Sequence, residues 1–251
     1  MKSRIANVAR LAALIGAITL LASPSARAEE RITSFASDIT VKASGEMAVT
    51  EAIRIVSEGD LIKHGIFRDI PTIYRSKTGE VTRVRLRVQS VERDGAAEPY
   101  AIEGLSNGKR IKIGSADALI PSGTHDYKIT YTISDEIGFF ETHDELYWNV
   151  NGTGWPFAVD RVEAGVRLPD GARILDYTGY TGAEGETGKD FSAARLGDSL
   201  IRFETTRALN AHENLTIVVT WPKGIVAEPT KAQKTERCPA KHAGVRFRNW
   251  A

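Results

Sequence analysis

The sequence predicts an all-β protein, an antiparallel β-sandwich with few or no helices, and three observations carry that prediction. Apolar and polar residues alternate over most of the chain after residue 28, which is the pattern of strands with one dry and one wet face. Turn dipeptides that accept positive φ separate the alternating runs. Helical spacing is hard to find anywhere in the same stretch. With 42% hydrophobic and 26% charged residues, the composition is that of a globular chain able to bury a core without disulfides, and Cys238 is the single cysteine.

The first 28 residues read as a cleavable export signal. Lys2, Arg4 and Arg10 form a positive start, Leu11 to Leu21 an apolar core, and Ala26-Arg27-Ala28 a small-x-small cleavage site before Glu29. The apolar core falls well short of the roughly 20 residues a spanning helix needs, and Pro24 follows it. Cleavage removes four cations and no acid, so the formal charge falls from +1 to −3. That balance argues against nucleic acid as a partner.

The strands follow in order. Tyr127, Ile129, Tyr131 and Ile133 alternate with Lys128, Thr130 and Thr132, and Val84, Leu86 and Val88 alternate with Arg83, Arg85 and Arg87. Ile53 with Ile55, Ile111 with Ile113, Leu146 with Trp148 and Val150, Val162 to Leu168, and Leu215 to Trp221 continue the pattern. Asp94-Gly95 and Asn107-Gly108 are hairpin signals, so residues 81–113 read as a three-stranded meander. The recurring glycines Gly179, Gly182, Gly185 and Gly188 mark a mobile loop or an edge hairpin. The expected division is a signal peptide at 1–28, a β-sandwich at 29–225 and a disordered basic tail at 226–251.

Several stretches resemble a family of bacterial predicted membrane proteins grouped as domain of unknown function 2207. They are Gly65-Ile66-Phe67-Arg68-Asp69-Ile70-Pro71, Lys109 to Gly114, Phe139 to Val150 with Gly154-Trp155, and Trp221-Pro222-Lys223-Gly224. The resemblance implies an N-terminal extracytoplasmic domain, periplasmic or on the outer face of the cytoplasmic membrane, followed by membrane helices. After Pro229 this sequence departs from that plan, because the expected C-terminal anchor is absent and residues 231–251 look unlike the family. Truncation, a frameshift and a released ectodomain remain open. The family supplies no catalytic residue to carry over.

Candidate chemistry concentrates in two places. Glu141, His143, Asp144 and Glu145 are the densest set of metal-ligand and acid/base side chains, and Glu141, His143 and Glu145 are the starting point for a metal-dependent envelope hydrolase. The strand period puts them with Tyr147 and Asn149 on one face, opposite Asp144, Leu146, Trp148 and Val150, and the apolar set names the core side. A metal would need a ligand from elsewhere, and His125 on the preceding strand is expected to face inward opposite Trp148. No cofactor is implied.

Arg68 and Asp69, a charged pair among Phe67, Ile70 and Pro71, suit a binding loop; the alternative is that both tie the loop to backbone. Asp160, next to Arg161, reads the same way, and Trp155 in a glycine-rich loop is the preferred contact aromatic. The expected function is therefore a binding module for an envelope component or membrane protein, with a purely structural domain packed on a membrane partner as the alternative.

Overall fold

The computed structural model describes residues 29–75 and 81–229. The expected signal peptide at 1–28 and residues 230–251 of the expected tail lie outside the described residues. Among the described residues there is no helix, and the chain forms strands throughout.

In chain order these are β1 (Arg31–Val41), β2 (Glu46–Ser57), β3 (Gly65–Pro71), β4 (Ile73–Arg75), β5 (Val81–Arg83), β6 (Arg85–Arg93), β7 (Ala96–Ala97), β8 (Tyr100–Gly104) and β9 (Gly108–Gly114). They continue with β10 (Gly123–Ser134), β11 (Ile137–Phe139), β12 (Asp144–Asn149), β13 (Val162–Arg167), β14 (Tyr177–Gly182), β15 (Phe191–Arg195), β16 (Leu200–Thr205) and β17 (Asn214–Trp221). The main sheet runs β15-β16-β13-β1-β2-β10-β6-β7, and a second sheet runs β11-β12-β17-β14. A three-stranded sheet, β3-β9-β8, and the β4-β5 pair complete the fold. Every pairing is antiparallel except that of β1 with β13.

One core serves both large sheets. Phe35 and Ile39 of β1, Val49 and Ile53 of β2, and Tyr127 and Ile129 of β10 belong to the same buried cluster as Leu146, Trp148, Ile217 and Val219 of the second sheet. Tyr177 of β14 meets Phe203 of β16 edge-on, with ring centroids 6.0 Å apart. Each fully buried aliphatic or aromatic side chain contributes about 1.5–3 kcal/mol relative to exposure, so the alternation read from the sequence is also the main source of stability.

The structure revises three expectations. Residues 81–113 do not make one meander: β6 turns at Asp94-Gly95 onto β7, whereas β8 and β9 leave for the three-stranded sheet with β3. The turn itself is as expected, with φ of 53° at Asp94 and 81° at Gly95. β10 does not pair with β12, and His125 instead lies opposite Ile55 and places Nδ1 2.8 Å from Asp94. Order also continues past residue 225, since Val226 is buried and the Ala227 N–H donates to the Ala43 carbonyl.

Candidate functional site

The alternation on β12 builds the site. Leu146 and Trp148 face the core, so Glu145, Tyr147 and Asn149 face outward. On β17, Leu215, Ile217, Val219 and Trp221 are inside, which turns Thr216, Val218 and Thr220 out. Cross-strand partners share a face, so three rows cross the sheet: Glu145 with Thr220 and Asp176, Tyr147 with Val218 and Thr178, and Asn149 with Thr216 and Tyr180. Successive rows lie about 6.6–7 Å apart along the strands.

An outward sheet face is usually wet, but Thr216 and Val218 are each only 8% exposed because other elements rise around them. The outer face is thus the floor of a cleft of about 880 Å³, near the upper end of the range for small-ligand sites. Asp69, Pro71, Tyr74, Leu105 and Asn107 line one side and residues 182–187 the other, with Gly152 to Gly154 adding to the lining.

Each wall is fixed by local chemistry. Residues 183–186 close a turn in which the Glu186 carboxylate accepts from the Ala183 N–H while the Glu186 N–H donates to the Ala183 carbonyl. The Thr181 N–H donates to Gly188, where a Cβ would come within 2.6 Å of the Thr181 carbonyl oxygen, so only glycine brings the loop back this closely. Opposite, Arg110 holds Asp69 through two 2.7 Å bonds and lies over the Phe67 ring. Gly154 fits beside that carboxylate, with 3.2 Å between Oδ2 and the position of a Cβ.

The floor is polar in two different ways. Asn149, Thr216 and Asn214 satisfy one another, with Thr216 donating to Asn149 at 2.8 Å and Asn214 donating to both. Glu145 is not so placed. Its side chain is 17% exposed, it accepts no hydrogen bond from a described residue, and the nearby His143 Nε2 is 3.9 Å away. Burial pushes its carboxyl above the ordinary carboxylate range, with His143 offsetting part of that rise. His143 stacks on Phe140 and its Nδ1 lies 3.0 Å from Thr142, which leaves Nε2 on the side of Glu145.

The residues singled out in the sequence fall into different environments. Arg68 is 2% exposed and uses all five N–H groups inside the protein, two on Glu51 and three on the carbonyls of Asp69, Val150 and Asn151. Tyr131 donates to the same Glu51 at 2.7 Å, and Arg68 therefore joins three sheets as an interior clamp. Trp155 is also buried, edge-on to Phe35, with its indole N–H on the Asn151 carbonyl. Neither side chain is exposed at the surface. Asp69 faces the cleft, and Asp160 is exposed and paired with Arg31 away from it.

Glu141 is exposed, and among the described residues no three His, Cys, Asp or Glu side chains converge as a metal site. Sequence reasoning missed Tyr180, Thr178 and Val218. The available signal was the interruption of an apolar strand by Thr216 and Thr220, which marks a second face with its own role.

Fold and site together define an all-β domain with a half-open, sheet-floored cleft lined by both polar and apolar groups. The chain belongs to the DUF2207 family, described as predicted membrane protein, N-terminal domain, whose model matches residues 31–221. A curated relative, the uncharacterized protein YciQ of Escherichia coli strain K12, is 26% identical over 209 residues, covering 82% of this chain. The chain spans 32% of that relative's length. Among solved structures, native leukotriene A4 hydrolase from Saccharomyces cerevisiae aligns over 76% of this chain and 29% of its own, at 12% identity and a TM-score of 0.45. An M1 zinc metallopeptidase from Deinococcus radiodurans aligns over 77% and 43%, at 11% identity and a TM-score of 0.42. Likeness at that level carries no functional argument.

Proposed function

We propose that the domain is an extracytoplasmic, non-catalytic binding module of its membrane protein family, and that the cleft over β12, β17 and β14 is its binding site. The observation that carries this reading is the withdrawal of an outward sheet face from water. Sandwich faces that only cover a core stay wet on the other side, whereas here Thr216 and Val218 lie at the bottom of a preformed concavity with hydrogen-bonding groups on several sides. The export signal read in residues 1–28 and the family description support placement of the domain outside the cytoplasm, next to envelope components.

The expected test fills the cleft. Thr178→Arg places a long side chain across the middle row, and Thr40→Arg, on the exposed face of β1, serves as the matched control. Immobilised wild-type protein should retain material from a solubilised bacterial envelope extract, Thr178→Arg should lose it, and Thr40→Arg should keep it. Equal retention by both variants would remove the cleft as the site.

A further inference from the structure

The cleft has a charge character that narrows its ligand, an inference that rests on the binding-module reading. We propose that it takes an extended peptide segment bearing a lysine or arginine side chain, and that Glu145 receives the cationic head.

Three observations converge on this class. The described lining residues include Asp69, Glu145, Asp176, Glu184 and Glu186, with Lys189 reaching Thr178 and Tyr180 at the β14 side. These acids are not equivalent: Asp69 is neutralised by Arg110, and Glu186 is engaged by its own turn. Glu145 keeps a carboxylate largely withdrawn from water, at the end of a floor row, with His143 Nε2 3.9 Å away and Tyr147 beside it. A desolvated carboxylate gains most from a partner that brings both charge and hydrogen-bond donors.

The second observation is an ammonium that the floor already holds. Lys189 Nζ lies 4.1 Å from the centre of the Tyr180 ring and donates to the Gly179 carbonyl at 2.9 Å and to Thr178 at 3.2 Å. Groups of the second and third rows therefore form a working ammonium site, built from a ring face, a carbonyl and a hydroxyl. The first row, with Glu145, Thr220 and Asp176, offers carboxylates and a hydroxyl to a cation from outside.

The third observation is spacing. Rows about 6.6–7 Å apart match the two-residue repeat of an extended chain, so a peptide lying along the strands presents alternate side chains to successive rows. A compact cation fills one row, whereas an extended peptide uses the length of the cleft.

The test uses the full chain and a fluorescently labelled, end-blocked pentapeptide of alternating alanine and lysine, followed by anisotropy. Comparison peptides carry acetyl-lysine or glutamate in place of lysine, and spermidine serves as competitor. The lysine peptide should bind, acetylation should weaken it at least about tenfold, and Glu145→Gln should weaken it about tenfold with the thermal midpoint preserved. Asp38→Asn, on the exposed face of β1, should bind like wild type.

Equal binding of the acetylated peptide, or an equal loss in Asp38→Asn, would overturn the proposal. Complete displacement by spermidine at its single-site affinity would overturn the extended-peptide part. If the lysine peptide fails while envelope material is still retained in a Thr178→Arg-sensitive way, the ligand class is wrong and the cleft reading stands. If both fail, the cleft reading falls with it.

Discussion

Arg68 and Asp69 are neighbours in sequence and opposites in role, because a strand sends adjacent side chains to opposite faces. Arg68 shares a face with Ile66 and Ile70, both buried, and that period in the sequence already pointed it inward. Charge drew attention to the pair, and the strand pattern should have divided it. Arg68→Ala leaves Glu51 in the core with only the Tyr131 hydroxyl, and we expect a loss of about 3–5 kcal/mol in urea unfolding. Trp155 was beyond the reach of local pattern, since its pocket depends on Asn151, which is fixed by Glu213 and Leu215 some sixty residues away.

Glu136 gives a pH signature. It is buried, accepts a 3.0 Å bond from Tyr74, and burial raises its carboxyl to about 8, with the Tyr74 bond opposing and nearby Asp135 adding to the rise. Between the ordinary carboxylate value and about 8 the folded protein holds a proton that the unfolded chain releases. Stability from this group is therefore full below the unfolded value and falls as pH rises, by at most about 1.4 kcal/mol per unit. Glu136→Gln should flatten that slope in unfolding measurements between pH 5 and 8; an unchanged slope would assign the dependence to other groups.

At the scale of elements, the sequence was most legible where a strand kept one face dry. The face of β12 that carries Glu145, Tyr147 and Asn149 was assigned correctly from the apolar set opposite it, and it became the cleft floor. The walls were not legible, because they come from β3, the β8–β9 turn and the segment after β14, which no local spacing connects to β12. The same non-local pairing separates β8 and β9 from β6, although the turn residues at 94–95 and 107–108 were visible.

The β3–β9 wall depends on two glycines facing each other. At Gly65 and Gly114 a Cβ would lie 1.9 Å from the opposing backbone oxygen, and both have positive φ. Gly114→Ala should therefore destabilise the protein by about 1–3 kcal/mol and raise amide exchange in β3 and β9 before the main sheet responds. Uniform exchange across all sheets would mean that the three-stranded unit does not open separately.

For the whole molecule, the large sheets share a core through Phe35, Trp148, Tyr177 and Phe203, and the small sheet is clamped to them by Arg68. This arrangement sets the outer face of the second sheet at the bottom of a half-open cleft, and the cleft is therefore a product of assembly rather than of any one motif. Ligand is expected to enter this face. The most direct measurement is backbone amide chemical-shift mapping of the full chain titrated with the lysine pentapeptide. Shifts should be concentrated at residues 143–149, 176–188 and 214–220 and suppressed by Thr178→Arg. Shifts confined to the exposed face of β1 and β2, or unaffected by that substitution, would contradict it.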